Sequence, residues 1–129
     1  MPDPLVPLVK WATVLDMNQV GDAKRFLRMT SSGKMADQLV NQMVTGQPRN
    51  FKAKDILRAS GLQLLPPTDP HVAESLQKIA NGVALQPVYA VKGDITTGRP
   101  LVVADGYHRT CAVFHTDPST DIPTMVASL

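Results

Sequence analysis

Leu101–His115, LVVADGYHRTCAVFH, is the stretch on which the fold reading turns. Leu101–Ala104 is a short apolar run of strand type, Asp105-Gly106 is a sharp turn, and Tyr107–His115 is helix-like, with Ala112 and Val113 available for packing. A buried strand that turns directly into a helix aims free backbone N–H groups, and the positive end of the helix dipole, at whatever lies above the turn. Gly106 permits a positive φ or a close backbone approach. Arg109 offers a planar cationic fork suited to phosphate oxygens. His108 can take up or release a proton near neutral pH. Asp105 can bind a cation, accept a proton or cap the helix. These are the parts of a phosphate site at a strand–helix junction. The same residues also admit a purely structural reading, with Asp105 as a cap and His108-Arg109 as a solvated first turn.

Outward from this turn, helices alternate with short apolar strands. Downstream, residues 116–121 are loop and Ile122–Val126 is a closing strand. Upstream, Pro87–Lys92 is a strand candidate, followed by a polar turn region with Gly93, Gly98 and Pro100. Before it, Asp69 caps a helix whose first position suits Pro70, with Val72, Leu76 and Ile79 as the buried stripe and Gly82 as its end. Leu62–Leu65 is an apolar run, stopped by Pro66-Pro67, that fits a buried strand. The first half reads as helical. Asp16 or Asn18 caps a helix carrying Val20, Ala23, Phe26 and Leu27, and Ser31-Ser32-Gly33 breaks it. A second helix carries Met35, Leu39 and Met43 with Val40 and Val44, stopped by Gly46 and Pro48. A third, Ala53–Ser60, presents Ile56 and Leu57 and ends at Gly61. The pattern predicts a small α/β (α+β) domain with a short mixed sheet. A helical segment, residues 1–61, packs on a core of residues 62–129, as one compact domain.

Composition narrows the function classes. The chain has 129 residues, 43% hydrophobic and 19% charged, with a formal charge of +2, which argues for a folded domain over a disordered one. A single cysteine, Cys111, excludes an intramolecular disulfide and a zinc site built on paired cysteines, and suits a cytoplasmic protein. Its place in an apolar helix makes it a packed thiol rather than a nucleophile. His108 and His115, seven residues apart, stand about 10 Å apart along a helix and cannot easily share one ion. The opening Met1–Trp11 carries Pro2, Asp3, Pro4 and Pro7 and lacks the basic start of a signal peptide, and no run is long enough to span a membrane. Charge is uneven: Gly21–Gly61 holds eight Lys and Arg against three Asp. This is either a solvated helical face or a surface for an anionic partner, with Lys24, Arg25, Arg28, Lys52, Lys54 and Arg58 as the cations for weak nucleic-acid binding.

The order and spacing of VAESLQKIANGVALQPVYAV (residues 72–91), LVVADGYHRTCAVF (101–114) and DIPTMV (121–126) resemble the ParB/sulfiredoxin superfamily, the ParB N-terminal-like domain, from Leu62 to Val126. The resemblance implies a nucleotide-binding fold whose turn faces phosphates. Gly106, Tyr107, His108, Arg109 and Thr110 would then contact a nucleoside triphosphate, ATP or CTP. Members bind and hydrolyse CTP, use ATP to repair a sulfinic acid, or phosphorylate free serine, and some relatives carry a nuclease label. Sulfiredoxins place their cysteine where this chain has Tyr107, so that chemistry is not expected. The arginine-rich ParB box reads Gly-Glu-Arg-Arg where this chain has Gly106-Tyr107-His108-Arg109. No helix-turn-helix domain follows the closing strand, so a complete partitioning protein is not expected. The serine-kinase turn, Asp-Gly-x-His, maps onto Asp105, Gly106 and His108, with Asp105 and His108 in catalysis. That branch also uses a Glu as base, and the only Glu here is Glu74.

The leading expectation is a nucleotide- or phosphate-binding domain at Asp105–Arg109, with hydrolysis or transfer of phosphate both compatible. Mg²⁺ would neutralise the phosphates, with Asp105 as its ligand. The alternative is a non-catalytic adaptor or DNA-associated module acting through the basic front, with the helices before Leu62 packing on the core or pairing two chains. A nuclease needs a cluster of acidic metal ligands, of which Asp105 is the one member in view.

Overall fold

The computed structural model describes residues 7–129, so residues 1–6 of the opening segment, with Pro2, Asp3 and Pro4, lie outside the described residues. Helix α1 (Met17–Leu27) starts where the Asp16 carboxylate accepts from the Asn18 N–H at 2.9 Å. Helix α2 (Gly33–Thr45) starts at Ser32, whose hydroxyl oxygen accepts from the Met35 N–H. Both bury one stripe: Val20, Ala23 and Leu27 on α1, and Ala36, Leu39, Val40 and Met43 on α2. Phe26 and Met35, expected in those stripes, are instead 40% and 36% exposed. Each sits one residue ahead of a stripe member, which turns it about 100° around the helix.

Strand β1 (Arg49–Lys52) runs into helix α3 (Ala53–Ser60), which ends at Gly61 with φ 68°. Leu62–Leu65 is not a strand. Pro66 and Pro67 remove the next two ladder donors, Leu62 and Leu64 are each 37% exposed, and only Leu65 packs against the core. The segment is held by α5 (Tyr107–Thr116): the Tyr107 hydroxyl donates to the Gln63 carbonyl, and His115 Nε2 bonds the Leu65 carbonyl at 2.7 Å. Helix α4 (Pro70–Ala80) begins at the Asp69 cap, whose Oδ1 accepts from the N–H groups of His71 and Val72.

Strands β2 (Val88–Val91), β3 (Val102–Asp105) and β4 (Asp121–Ala127) complete a four-stranded mixed sheet in the order β1-β4-β2-β3. The β2–β4 pair is parallel and the other two are antiparallel. Alternation on the strands feeds two cores. Tyr89, Val91, Ala104, Met125 and Ala127 face α1 and α2. Val88, Val103 and Ile122 face α3, α4 and α5. The domain is α+β, with helices on both faces of a short sheet, and β1 draws the first half of the chain into that sheet. Among the described residues, no helix is long and apolar enough to cross a membrane.

Candidate functional site

Strand β3 ends at Asp105, and the chain reverses through Gly106 (φ 108°) into α5. A Cβ at Gly106 would lie 2.8 Å from Val88 Cγ2 and 2.9 Å from Arg109 Nη2. Both the positive φ and this crowding restrict the position to glycine. Asp105 is not the helix cap: Gly106 holds that position, and no side chain caps α5. The first helical bond runs from the Thr110 N–H to the Gly106 carbonyl, so the first-turn N–H groups point out of the helix end. Asp105 instead meets Arg109 one turn on, where Nη2 donates to Asp105 Oδ2 at 3.1 Å and to the Pro87 carbonyl at 2.9 Å. Both side chains are largely sequestered, 13% exposed for Arg109 and 20% for Asp105. Burial raises the Asp105 carboxyl above its ordinary pKa, against the opposing pull of Arg109.

Above this turn lies a cavity of about 370 Å³, within the size range of small-ligand sites. The turn contributes Asp105, Gly106, His108 and Arg109. The exposed face of α4 contributes His71, Glu74 and Lys78, and the start of α1 contributes Asp16 and Gln19. The His71 and His108 rings meet at a tilt of 50°, with centroids 4.9 Å apart. Groups that can face an anion (Arg109, Lys78, two imidazoles and a helix N-terminus) thus share one space with carboxylates.

Four buried side-chain polar atoms lack a hydrogen-bond partner among the described residues, and two of them are at this cavity. Gln19 Oε1 and Arg109 Nε belong to residues that line it. The Tyr89 hydroxyl is another such atom; Tyr89 pairs with Asp105 across the β2–β3 ladder but does not line the cavity, and burial raises its pKa. Unpaired buried polar groups are few in folded proteins, so the two at this cavity are hydrogen-bonding capacity that a bound group could use.

No family model, curated protein or solved structure matches this chain. The functional reading therefore stands on the turn and its cavity.

Of the residues expected at the site, Asp105, Gly106, His108 and Arg109 line the cavity. Tyr107 and Thr110 do not. Tyr107 anchors the 62–65 segment, and Thr110 is fully buried, its hydroxyl donating to the Gly106 carbonyl at 2.9 Å. Glu74, which sequence order alone could not place, faces the turn from α4. His71, Lys78 and Gln19 were not foreseen, because nothing separates them in sequence from ordinary polar residues of amphipathic helices. No three His, Cys, Asp or Glu side chains converge to hold a metal ion among the described residues. Cys111 is fully buried, and burial pushes its thiol pKa up.

The basic front does not assemble into one surface. Lys24 and Arg25 lie on α1 and Arg28 at its C-cap, over one face of the sheet, while Lys52, Lys54 and Arg58 lie at the end of β1 and on α3, over the other. Five of the six pair with acids: Lys24 and Arg28 with Asp37, Arg25 with Asp22, Lys52 with Asp121 and Arg58 with Asp55.

Proposed function

We propose that this domain binds the phosphates of a nucleoside triphosphate, ATP or CTP, in the cavity above Asp105–Arg109. The observation that carries the reading is the convergence of an uncapped helix N-terminus, Arg109, Lys78 and two histidines on a cavity where Gln19 Oε1 and Arg109 Nε are buried without partners among the described residues. The first-turn N–H groups of α5 can donate hydrogen bonds to phosphate oxygens, as helix N-termini do. Arg109 is held in place by Asp105 and the Pro87 carbonyl, so little side-chain entropy is lost when it meets an anion. Mg²⁺ fits this donor set as a cation carried on the phosphates with one or two protein carboxylates. Arg109 takes Asp105 Oδ2, leaving Oδ1 for the cation. The metal would neutralise charge on the phosphates.

The arrangement also supports phosphoryl transfer, in keeping with the resemblance to the free-serine kinase branch. Glu74 stands on the α4 wall and can accept the proton of an attacking hydroxyl or water. His108 stands at the helix end and can donate a hydrogen bond to the transferring group. A thermal-shift panel of ATP, ADP, CTP and GTP, each with and without Mg²⁺, tests the binding reading. A ligand at about 100 times its Kd should stabilise the fold by about 2.7 kcal/mol. No shift with any nucleotide overturns it and favours the adaptor role.

A further inference from the structure

We propose that the molecule carries a second ligand site, for a small apolar carboxylic acid, in the cleft between α3, the outer end of the sheet and the 93–101 segment. The cleft has a volume of about 590 Å³ and shares no lining residue with the Asp105 cavity. Its walls are Phe51 from β1, Ile56 and Ala59 from α3, Leu101 and Val126. The Leu101 N–H donates to the Ala59 carbonyl at 3.0 Å, which fixes one wall to the other. Apolar walls of this extent stabilise a hydrocarbon body by removing it from water, whereas a nucleotide would find too few hydrogen-bonding partners there.

The rim supplies the head-group chemistry. Arg49, Lys92 and Arg99 border the cleft, and none forms an ion pair among the described residues. The two acids on the rim are engaged elsewhere. Asp55 pairs with Arg58 at 3.9 Å, and Asp94 Oδ1 accepts from the Thr96 N–H and hydroxyl. The Arg49 guanidinium lies over the Phe51 ring, 5.3 Å from its centroid, which holds that charge against the apolar wall. Arg99 Nε is buried without a partner, and of the four such atoms among the described residues it alone belongs to a residue that lines this cleft. Three unpaired cations against two engaged acids leave a small positive excess. That suits a head group with one negative charge better than a polyphosphate, and an arginine fork matches a carboxylate in shape.

Decanoate, kept below its micelle concentration, is the probe, with decanol as its neutral counterpart, followed by calorimetry and amide NMR shifts. We expect saturable one-to-one binding, shifts centred on α3 and residues 93–101, and about tenfold weaker binding of decanol. Ala59→Trp fills the cleft from an exposed helix position, and the paired change Arg49→Gln with Arg99→Gln removes two rim charges. Each should weaken decanoate binding about tenfold or more while the melt is retained. If the double variant does not fold, Ala59→Trp and the decanol comparison still decide. Absence of saturation at millimolar decanoate, as in a cleft that seats a protein segment, overturns the proposal. So do equal affinities for decanoate and decanol, undiminished binding to Ala59→Trp, or shifts centred on Asp105–Arg109.

Discussion

The His71 and His108 rings meet at a tilt of 50°, with centroids 4.9 Å apart, although they come from the first turns of two different helices. Each helix is stopped at its start by its own device, the Asp69 cap for α4 and the Gly106 reversal for α5. The contact therefore reports how α4 docks on α5, and it forms one wall of the cavity.

That placement makes His71 a probe of the wall alone. His71 is exposed, and its backbone N–H, not its ring, is what Asp69 caps. We expect His71→Ala to change stability by less than about 0.5 kcal/mol, as exposed substitutions usually do. Affinity for the best nucleotide in the thermal-shift panel should fall several-fold. Calorimetry beside a thermal melt checks both. Unchanged affinity would remove α4 from the site.

Gly106→Ala places a methyl group 2.8 Å from Val88 Cγ2, at a backbone φ of 108° that alanine rarely adopts. Val88 is fully buried and cannot move aside cheaply. We expect a loss of about 1–3 kcal/mol, read as a lowered denaturation midpoint with an unchanged slope. Gly21→Ala, whose Cβ meets only the Arg25 side chain at 3.9 Å, is the control and should be neutral or slightly stabilising.

Local signals made much of this fold legible. Asp69-Pro70 marks the start of α4, Gly61 the end of α3, and the apolar run LVVA followed by Asp-Gly the passage from strand to turn. Strand β1 was hidden because Arg49–Lys52 is four residues long with one apolar side chain, Phe51. It becomes a strand by pairing with Ile122 and its neighbours far along the chain. Leu62–Leu65 erred the other way: four residues with the right side chains were left without a ladder. At the site, the turn was readable because strand, glycine and helix are adjacent in sequence. The opposing wall was not, since Glu74, His71 and Lys78 reach the turn only through the docking of α4 on α5. Asp105 looked like a cap because Asp often is one, but Arg109, one helical turn away, claims its carboxylate.

The Asp105–Arg109 pair should act as one unit. Arg109→Ala leaves a largely buried carboxylate without its cation, so we expect a loss of about 1–3 kcal/mol. Nucleotide affinity should fall about 10- to 100-fold. Adding Asp105→Asn should restore part of the stability, by removing the orphaned charge, and none of the affinity. A double-mutant cycle in denaturant should give a coupling of about 0.5–3 kcal/mol. Additive effects would show that the ion pair contributes nothing beyond its separate members.

The pH dependence of Asp105 has a definite sign. Its folded pKa is raised above the ordinary 3.8 by burial. Between 3.8 and that raised value the folded state binds more protons than the unfolded one, so this group's contribution is full below 3.8 and is lost as pH rises through the folded pKa. Asp37 and Asp94 run the opposite way, lowered chiefly by hydrogen bonds from Lys24 and Thr96, and their contributions fade as pH falls. We therefore expect the stability of the parent relative to Asp105→Asn to increase on acidification through that window. Chemical-denaturation curves of the two proteins at stepped pH would show it. A parent that loses stability relative to Asp105→Asn on acidification would mean that Arg109 outweighs burial.

Glu74 separates binding from chemistry. Its carboxylate lies 3.9 Å from Lys78 one helical turn on, with both side chains substantially exposed, so the pair contributes little to stability. Glu74→Gln preserves size and hydrogen-bonding capacity and removes the basic oxygen. If Glu74 accepts the proton of an attacking hydroxyl or water, turnover should fall about 100- to 10,000-fold, the usual worth of a general base. Nucleotide affinity should stay within a few-fold of the parent. His108→Ala should also lower turnover more than affinity, because a contact to the transferring group strengthens in the transition state. Arg109→Ala should lower affinity first. This ordering cannot come from a structural role, since loss of fold would depress affinity and turnover together. The assay follows release of inorganic phosphate or of nucleoside diphosphate, with free serine and other small hydroxyl compounds tried as acceptors. Equal turnover by Glu74→Gln and the parent would leave Glu74 a solvated helix residue and the cavity a binding site without transfer chemistry.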